Sequence, residues 1–356
     1  MNITPESILE GLPDAFALKA GHRVTSPHPD AEQLASMTLA QMVKVTGECT
    51  AAQEGYRQSN GSVFSLGMNA SAFTLGMAEA LQNLMIRSYD TQADHRALCA
   101  VREVPDFREQ EYPAVDLAGD MSELIDGSER TQSFNIGRGE KLKLRSFGGI
   151  IRVPRHVLVQ DSFDTLAQAF QGLGSGSARQ ESKIIYSALE DAETLVDGEA
   201  VFHADHGNRV EAPLTKAGLA QGMAALRTMP VRLGHKAEPA NLTARHLVVS
   251  AASELEAHEI LHNAGLEYRA RQLVTESGTG ITVTATPHLA PGSWYLLPDP
   301  QTHPVLVRLA LKGGNARPGY VTPTRRGLDD FDGIGFGYAA DLGGGLVSRL
   351  AVKGGE

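Results

Sequence analysis

The sequence predicts a mixed fold of helices and strands, and three observations carry that expectation. In 69–87, Phe73, Met77, Leu81, Leu84 and Met85 recur at helical spacing and share one face. In 131–155, alternating segments flank a glycine-rich stretch, as strands do around a turn. A polar helical run over 164–191 follows, and from residue 245 the texture changes to short apolar strands. The chain has 356 residues with 42% hydrophobic content, enough for one large domain or two smaller ones.

Each element follows in chain order. Met1–Pro29 carries Pro5, Pro13, Pro27 and Pro29 and reads as an arm or linker. A helix is expected over Asp30–Thr46 with Asp30 as its cap, and a loop over the Gly-, Ser- and Asn-rich Gly55–Gly67. Thr131–Ile136 and Lys141–Phe147 alternate, with Gly137-Arg138-Gly139-Glu140 as the turn between them, which predicts a β-hairpin. Gly148-Gly149 breaks the second strand, and Ile150–Arg155 resumes it. Phe134, Ile136, Leu142 and Leu144 are too few for a private core, and two isolated strands are marginal in water. The hairpin is therefore expected to lie on a neighbouring subunit, where Arg138, Lys141, Lys143 and Arg145 would meet acidic groups.

The polar helix carries Leu166, Phe170, Leu173, Ile184, Ile185, Ala188 and Leu189. Gly172, Gly174 and Gly176 interrupt it at about 1 kcal/mol each, which predicts a kink or break. Thr215–Thr228 reads as a helix with Leu219, Met223 and Leu226 in register. His246–Ser250 reads as a buried strand, and Ser253–Glu256 as a capping box opening a helix. Thr282–Thr286, Trp294–Leu297 and the alternating Pro304–Leu309 read as strands, and Asp332–Lys353 is glycine-rich and alternating.

Composition excludes several function classes. A net charge of −10 lacks the basic excess of a dedicated nucleic-acid binder. Cys49 and Cys99 are the only cysteines, so a disulfide framework is excluded and a reducing compartment is expected. Met1–Ala20 has no basic segment followed by an apolar run, so no signal peptide is expected. No apolar run approaches a membrane-spanning length.

Four patterns invite a chemical reading. His258-Glu259-Ile260-Leu261-His262 matches H-E-x-x-H, in which two histidines one helical turn apart hold zinc and the glutamate acts as base; Glu267 or Glu276 could complete the site. Against this, Ala257, Ile260, Leu261 and Ala264 define the buried face, so the two histidines and Glu259 point outward. His203, Asp205 and His206 look like a metal cluster, but Gly207-Asn208 marks a turn that locks the exit of the long helix. Gly172–Gly176 lacks the preceding strand and the lysine of a phosphate loop. Asp191 and Glu193 read as a solvated helix end. No metal, cofactor or catalytic residue is expected.

The order of these features resembles the major head protein of Mu-like tailed phages. In that family a tyrosine-glycine pair and an arginine close an extended loop, and an acidic turn opens a long helix. Here these read Phe147-Gly148, Arg155 and Gln160-Asp161-Ser162, and the family signature Phe202-His-Ala-Asp-His-Gly-Asn208 is complete. Pro105–Arg108 and Trp294–Pro300 also match, while His95 stands where a tryptophan is usual and the helix entry reads Asn69-Ala-Ser-Ala-Phe73. The resemblance implies an α+β chain with the Hong Kong-type tailed-phage major capsid fold. An N-terminal arm and helices would take 1–106. The peripheral domain with its spine helix would take 107–229 plus 327–356, with the extended hairpin loop 122–156 inserted, and the axial domain 230–326. It implies self-assembly into hexamers and pentamers of an icosahedral head assembled in the bacterial cytoplasm. Partners would be portal, decoration or scaffold proteins and double-stranded DNA held non-specifically, with no membrane. The alternatives are a zinc metallopeptidase built on His258–His262 and a non-viral compartment shell of the same fold.

Overall fold

The computed structural model describes residues 5–21, 23–54, 60–115, 136–191, 194–195, 198, 200–233, 236–265, 280–313, 319–324 and 331–355. Contacts divide the chain into two units, one of Met1–Gln92, Ser146–Arg179 and Asn315–Asp341, the other of Ala93–Arg145, Gln180–Gly314 and Leu342–Glu356. No helix among the described residues is long and apolar enough to cross a membrane.

The first unit is built on the helix Ser71–Gln92, which buries Phe73, Met77, Leu81, Leu84 and Met85 as the periodicity requires. The N-terminal segment is not an irregular linker: it carries a helix, Pro5–Lys19, with Pro13 inside it. A proline there costs about 3 kcal/mol. Full burial of Leu12 and Phe16 returns about 1.5–3 kcal/mol each, so packing overrides propensity. The Phe16 ring stands edge-on to Phe73 at 5.3 Å and stacks with Phe163 at 6.3 Å.

Two further helical expectations are corrected here. Asp30–Thr46 is two helices, Ala31–Ala35 and Leu39–Glu54, and Asp30 makes no side-chain cap. The second starts at a reciprocal cap in which Thr38 N–H donates to Gln41 Oε1 (2.9 Å) and Gln41 N–H to Thr38 Oγ1 (3.2 Å). Within Gly55–Gly67, the residues from Asn60 on are helical, in Asn60–Asn69. The glycines serve contact here, not looping. A Cβ on Gly67 would sit 1.9 Å from Val43 O, and one on Gly47 would sit 2.1 Å from Val63 O. Two helical backbones touch through that pair.

The long helix is one run of 28 residues, Phe163–Glu190, and the expected break is absent. Gly174 lies against the carbonyl of Met85, where a Cβ would come to 2.1 Å, and Ser88 and Ser175 share a hydrogen bond of 2.7 Å. Asp161 precedes the helix at φ 52, and its carboxylate accepts the Leu39 N–H at 2.8 Å. Arg145–Pro154 is an edge strand beside Gly333–Leu342, with Tyr320–Thr324 on the far side. It runs through Gly148-Gly149 unbroken, because a Cβ on Gly148 would meet Tyr338 O at 2.2 Å.

The second unit holds a five-stranded sheet in the order Arg209–Val210, Val352–Gly354, Trp294–Leu297, His246–Ser250, Thr282–Thr286. Helices Lys216–Thr228 and Glu254–Ala264 contribute Leu219, Leu226, Ala257 and Leu261 to its core. Trp294 is fully buried beside Gly222 and Gly354 and donates its indole N–H to Ala212 O at 3.1 Å. The capping box at Ser253 is not formed. Ala251–Ser253 is a 3-10 turn, so Ser253 is not extended, and its hydroxyl lies 3.3 Å from that of Ser250.

A second sheet places Leu306–Leu311 between the parallel Cys99–Val104 and the antiparallel Gly344–Leu346. Leu306 to Ala310 are buried without alternation, as a central strand covered on both faces must be.

Candidate functional site

The expected assembly hairpin is paired differently. Ile136–Leu142 is one strand that continues through 137–140, the residues read as a turn, with a bulge where Arg138 and Gly139 oppose Pro113, and its antiparallel partner is Gln110–Val115. Glycine frees φ but does not force a turn. Here ladder bonds hold the segment extended, and the Glu111 carboxylate accepts the Gly139 N–H at 2.8 Å. Register pairs Gln110 with Leu142, Glu111 with Lys141 and Val115 with Ile136. Arg145–Pro154 belongs to the other sheet and does not pair with this ribbon.

The ribbon is also better anchored than expected. Leu142 and Leu144 are buried with Val104, Val307 and Leu309 of the same chain. Lys141, Lys143 and Arg145 alternate with them and are exposed, so the end of the strand and the chain just beyond it carry cations outward while the leucines point inward. Phe134 lies outside the described residues; Ile136 and Arg138 lie on the strand.

Phe202–Asn208 closes on itself. Ala204–His206 is a 3-10 turn capped by His203, whose ring nitrogen Nδ1 accepts from Asp205 N–H at 3.2 Å. Gly207 follows at φ 64 and ψ 19. Asn208 is fully buried: its Oδ1 accepts from His203 N–H at 2.9 Å, and its amide donates to Val201 O (2.7 Å) and Arg349 O (3.1 Å). The His203 and His206 rings stand 6.1 Å apart, with Asp205 beside His203 and exposed.

On Glu254–Ala264, Ala257 and Leu261 are buried while His258, Glu259 and His262 are exposed. Glu267 and Glu276 lie outside the described residues. Among the described residues no three His, Cys, Asp or Glu side chains are placed to hold one metal ion.

A cluster that the motif reading missed lies inside the second unit. His95 is fully buried, with Nε2 at 2.9 Å from Glu181 Oε2 and Nδ1 at 2.8 Å from Ser182 Oγ. Arg308, also buried, approaches the other Glu181 oxygen at 3.7 Å. Asp94 accepts from His95 N–H at 2.7 Å and from the Ser182 hydroxyl at 3.4 Å. Burial opposes charge on His95, but hydrogen bonds to Asp94 and Glu181 and their negative charges prevail and raise its pKa. Asp94 resists burial in the same way: bonded to His95, it is held below the usual carboxylate range. A signal was available in the sequence. Glu181 sits on the stripe Ala178, Ile185, Leu189, and Arg308 sits inside an apolar strand.

The sequence matches the family described as phage capsid protein over residues 139–353. No curated protein matches it. Among solved structures, the head of Helicobacter pylori bacteriophage KHP40 aligns at TM-score 0.47 and 7% identity, covering 74% of this chain and 90% of that one. The capsid of cyanophage P-SCSP1u aligns at 0.44 and 12%, covering 73% and 86%. A virus-like particle from Pyrococcus furiosus aligns at 0.39 and 11%, covering 77% and 97%.

Proposed function

From the premise that this chain belongs to the phage capsid protein family, we propose that it is the major capsid protein of a Mu-like tailed phage. In this reading it adopts the Hong Kong-type fold, with arm and helices in 1–106, a peripheral domain in 107–229 plus 327–356 and an axial domain in 230–326. Copies assemble into hexamers and pentamers that close as an icosahedral head in the host cytoplasm. The observation that carries the reading is the family match, which runs from Gly139, inside the ribbon strand, through the long helix to Lys353 in the five-stranded sheet.

The ribbon supplies the physical means of assembly. Lys141 at the end of its strand, with Lys143 and Arg145 in the chain just beyond, forms a run of exposed cations that suits the acidic surface expected of a neighbouring copy of a chain with net charge −10. Such contacts set register and steer encounter more than they add affinity, and salt weakens them. The same acidity suits a shell that encloses double-stranded DNA without gripping it. Portal, decoration or scaffold proteins would be the other partners, and the role is structural, not catalytic.

Electron microscopy of the purified full-length protein tests the proposal. Closed shells, or rings of five and six copies, are expected. A protein that stays monomeric at high concentration, across salt and with scaffolding proteins of its phage, would overturn it.

A further inference from the structure

Arg155–Val159 is a short helix, and the chain leaves it through a Schellman motif: Asp161 N–H donates to Leu158 O (3.4 Å) and Ser162 N–H to Val157 O (3.1 Å). The residue that follows the cap in this motif is left-handed and is usually glycine, which takes a positive φ without steric cost. Here it is Asp161, at φ 52. The turn by itself favours glycine, so a carboxylate in this position points to a use outside the turn.

We propose that Asp161 is a clasp: a positioning residue that holds the N-terminal helices on the head of the long helix at a cost to its own backbone. Its carboxylate reaches two elements far away in the sequence. The Leu39 N–H that it accepts at 2.8 Å opens the helix Leu39–Glu54. An amide in that position has no carbonyl partner within its own helix, and Thr38 Oγ1 takes the Gln41 N–H instead. A negative charge at a helix start also suits the helix dipole. Lys19, the last residue of Pro5–Lys19, donates to Met37 O at 2.8 Å and brings its ammonium to 3.7 Å from the Asp161 carboxylate. The two side chains are 18% and 32% exposed, so solvent and salt screen this pair less than an open surface one.

Neighbouring contacts bring the same elements to the same place. Phe16 stacks on Phe163, the first residue of the long helix, and the Arg155 guanidinium lies 4.9 Å over the Phe64 ring of Asn60–Asn69. The helices Leu39–Glu54 and Asn60–Asn69 touch through Gly47 and Gly67, so a hold on the start of the first seats both. The clasp is a property of the single chain and stands apart from the assembly reading.

Hydrogen exchange of the full chain, unassembled, tests the clasp, because a residue that serves only the turn and a clasp give opposite signs. Asp161→Gly relieves the backbone and removes the carboxylate. If Asp161 served only the turn, that variant would exchange at the wild-type rate or more slowly. The clasp predicts that the amides of Leu39 and of the helix it opens exchange roughly ten- to hundredfold faster, while those of Lys216–Thr228 in the second unit keep their wild-type rates. Should Asp161→Gly not fold, Asp161→Asn carries the test. It tolerates the same φ and keeps an oxygen for Leu39 but loses the charge, so Leu39 should exchange roughly three- to tenfold faster. Wild-type or slower exchange at Leu39 in the variant that folds overturns the proposal, and so does an acceleration shared equally by Lys216–Thr228.

Discussion

Gly207 holds φ 64, a backbone conformation that costs an L-residue about 1–2 kcal/mol and a β-branched one more. The turn it closes is pinned by Asn208, whose three hydrogen bonds are all made to main chain and all buried or partly buried. Gly207→Val is therefore expected to lower the melting temperature more than His206→Ala, because the half-buried His206 ring gives up fewer contacts than the backbone gives up in strain. Asn208→Ala is expected to cost about 2–4 kcal/mol, since it strands buried main-chain groups as well as losing its own bonds. Urea unfolding of the three variants ranks them; a Gly207→Val curve that overlays wild type would show the turn to be unstrained. At His258 and His262, two imidazoles one turn apart on an exposed face invite loose metal contact but not a closed site. Metal analysis of purified protein is expected to find far less than one zinc per chain, and stoichiometric zinc that disappears in His258→Ala would contradict this. The buried His95 cluster shows where residue-scale reading stops. Glu181 and Arg308 each stand out as a lone charge in apolar sequence, but they are far apart in the chain, and only the fold makes them a pair.

Among the elements, legibility tracked whether local pattern or distant contact decides the conformation. Ser71–Gln92 and Lys216–Thr228 were readable because their apolar spacing is itself the cause of their burial. Pro5–Lys19 and Asn60–Asn69 were not, because proline and glycine there are tolerated for the sake of partners far along the chain. Ile136–Leu142 was misread for the same reason: Gly137 and Gly139 signal a turn locally, and only the pairing with Gln110–Val115 holds them extended. The long helix separates the two uses of glycine within a few residues. Gly172 faces open space, while Gly174 meets the Met85 carbonyl. Gly172→Ala is expected to stabilise the chain by about 0.5–1 kcal/mol through helix propensity alone. Gly174→Ala is expected to destabilise it by several times that amount, because its Cβ has no room and the obstacle is backbone. Paired thermal melts decide this, and equal effects from both variants would mean that the helix crossing is looser than its geometry.

For the molecule as a whole, the question is which parts serve the chain and which serve its neighbours. The ribbon divides at Glu111 and Lys141. On the near side, Leu142 and Leu144 fill this chain's own core, so an excision that removed them would damage folding and say nothing about assembly. On the far side lie the strand ends Tyr112–Val115 and Ile136–Glu140. Glu111 and Lys141 are directly opposed across an antiparallel pair, so a two-residue Asn-Gly turn can join them in place of 112–140 without moving either strand stem. The shortened chain is expected to be soluble and to melt within several degrees of the intact protein, because Leu142 and Leu144 stay in place and only Tyr112, packed at the edge of their cluster, is lost from it. It is also expected to form no regular closed shells, since in the proposed reading this part of the ribbon is what reaches a neighbouring copy. A milder variant, with Lys141, Lys143 and Arg145 all changed to glutamine, keeps the ribbon but removes the exposed cations at its base. It should assemble more slowly, and its assembly should lose the salt sensitivity of wild type. Electron microscopy with light scattering across salt concentration reads both outcomes. Regular shells from the shortened chain, at normal yield, would reduce the ribbon to surface decoration and move the assembly contacts elsewhere on the chain.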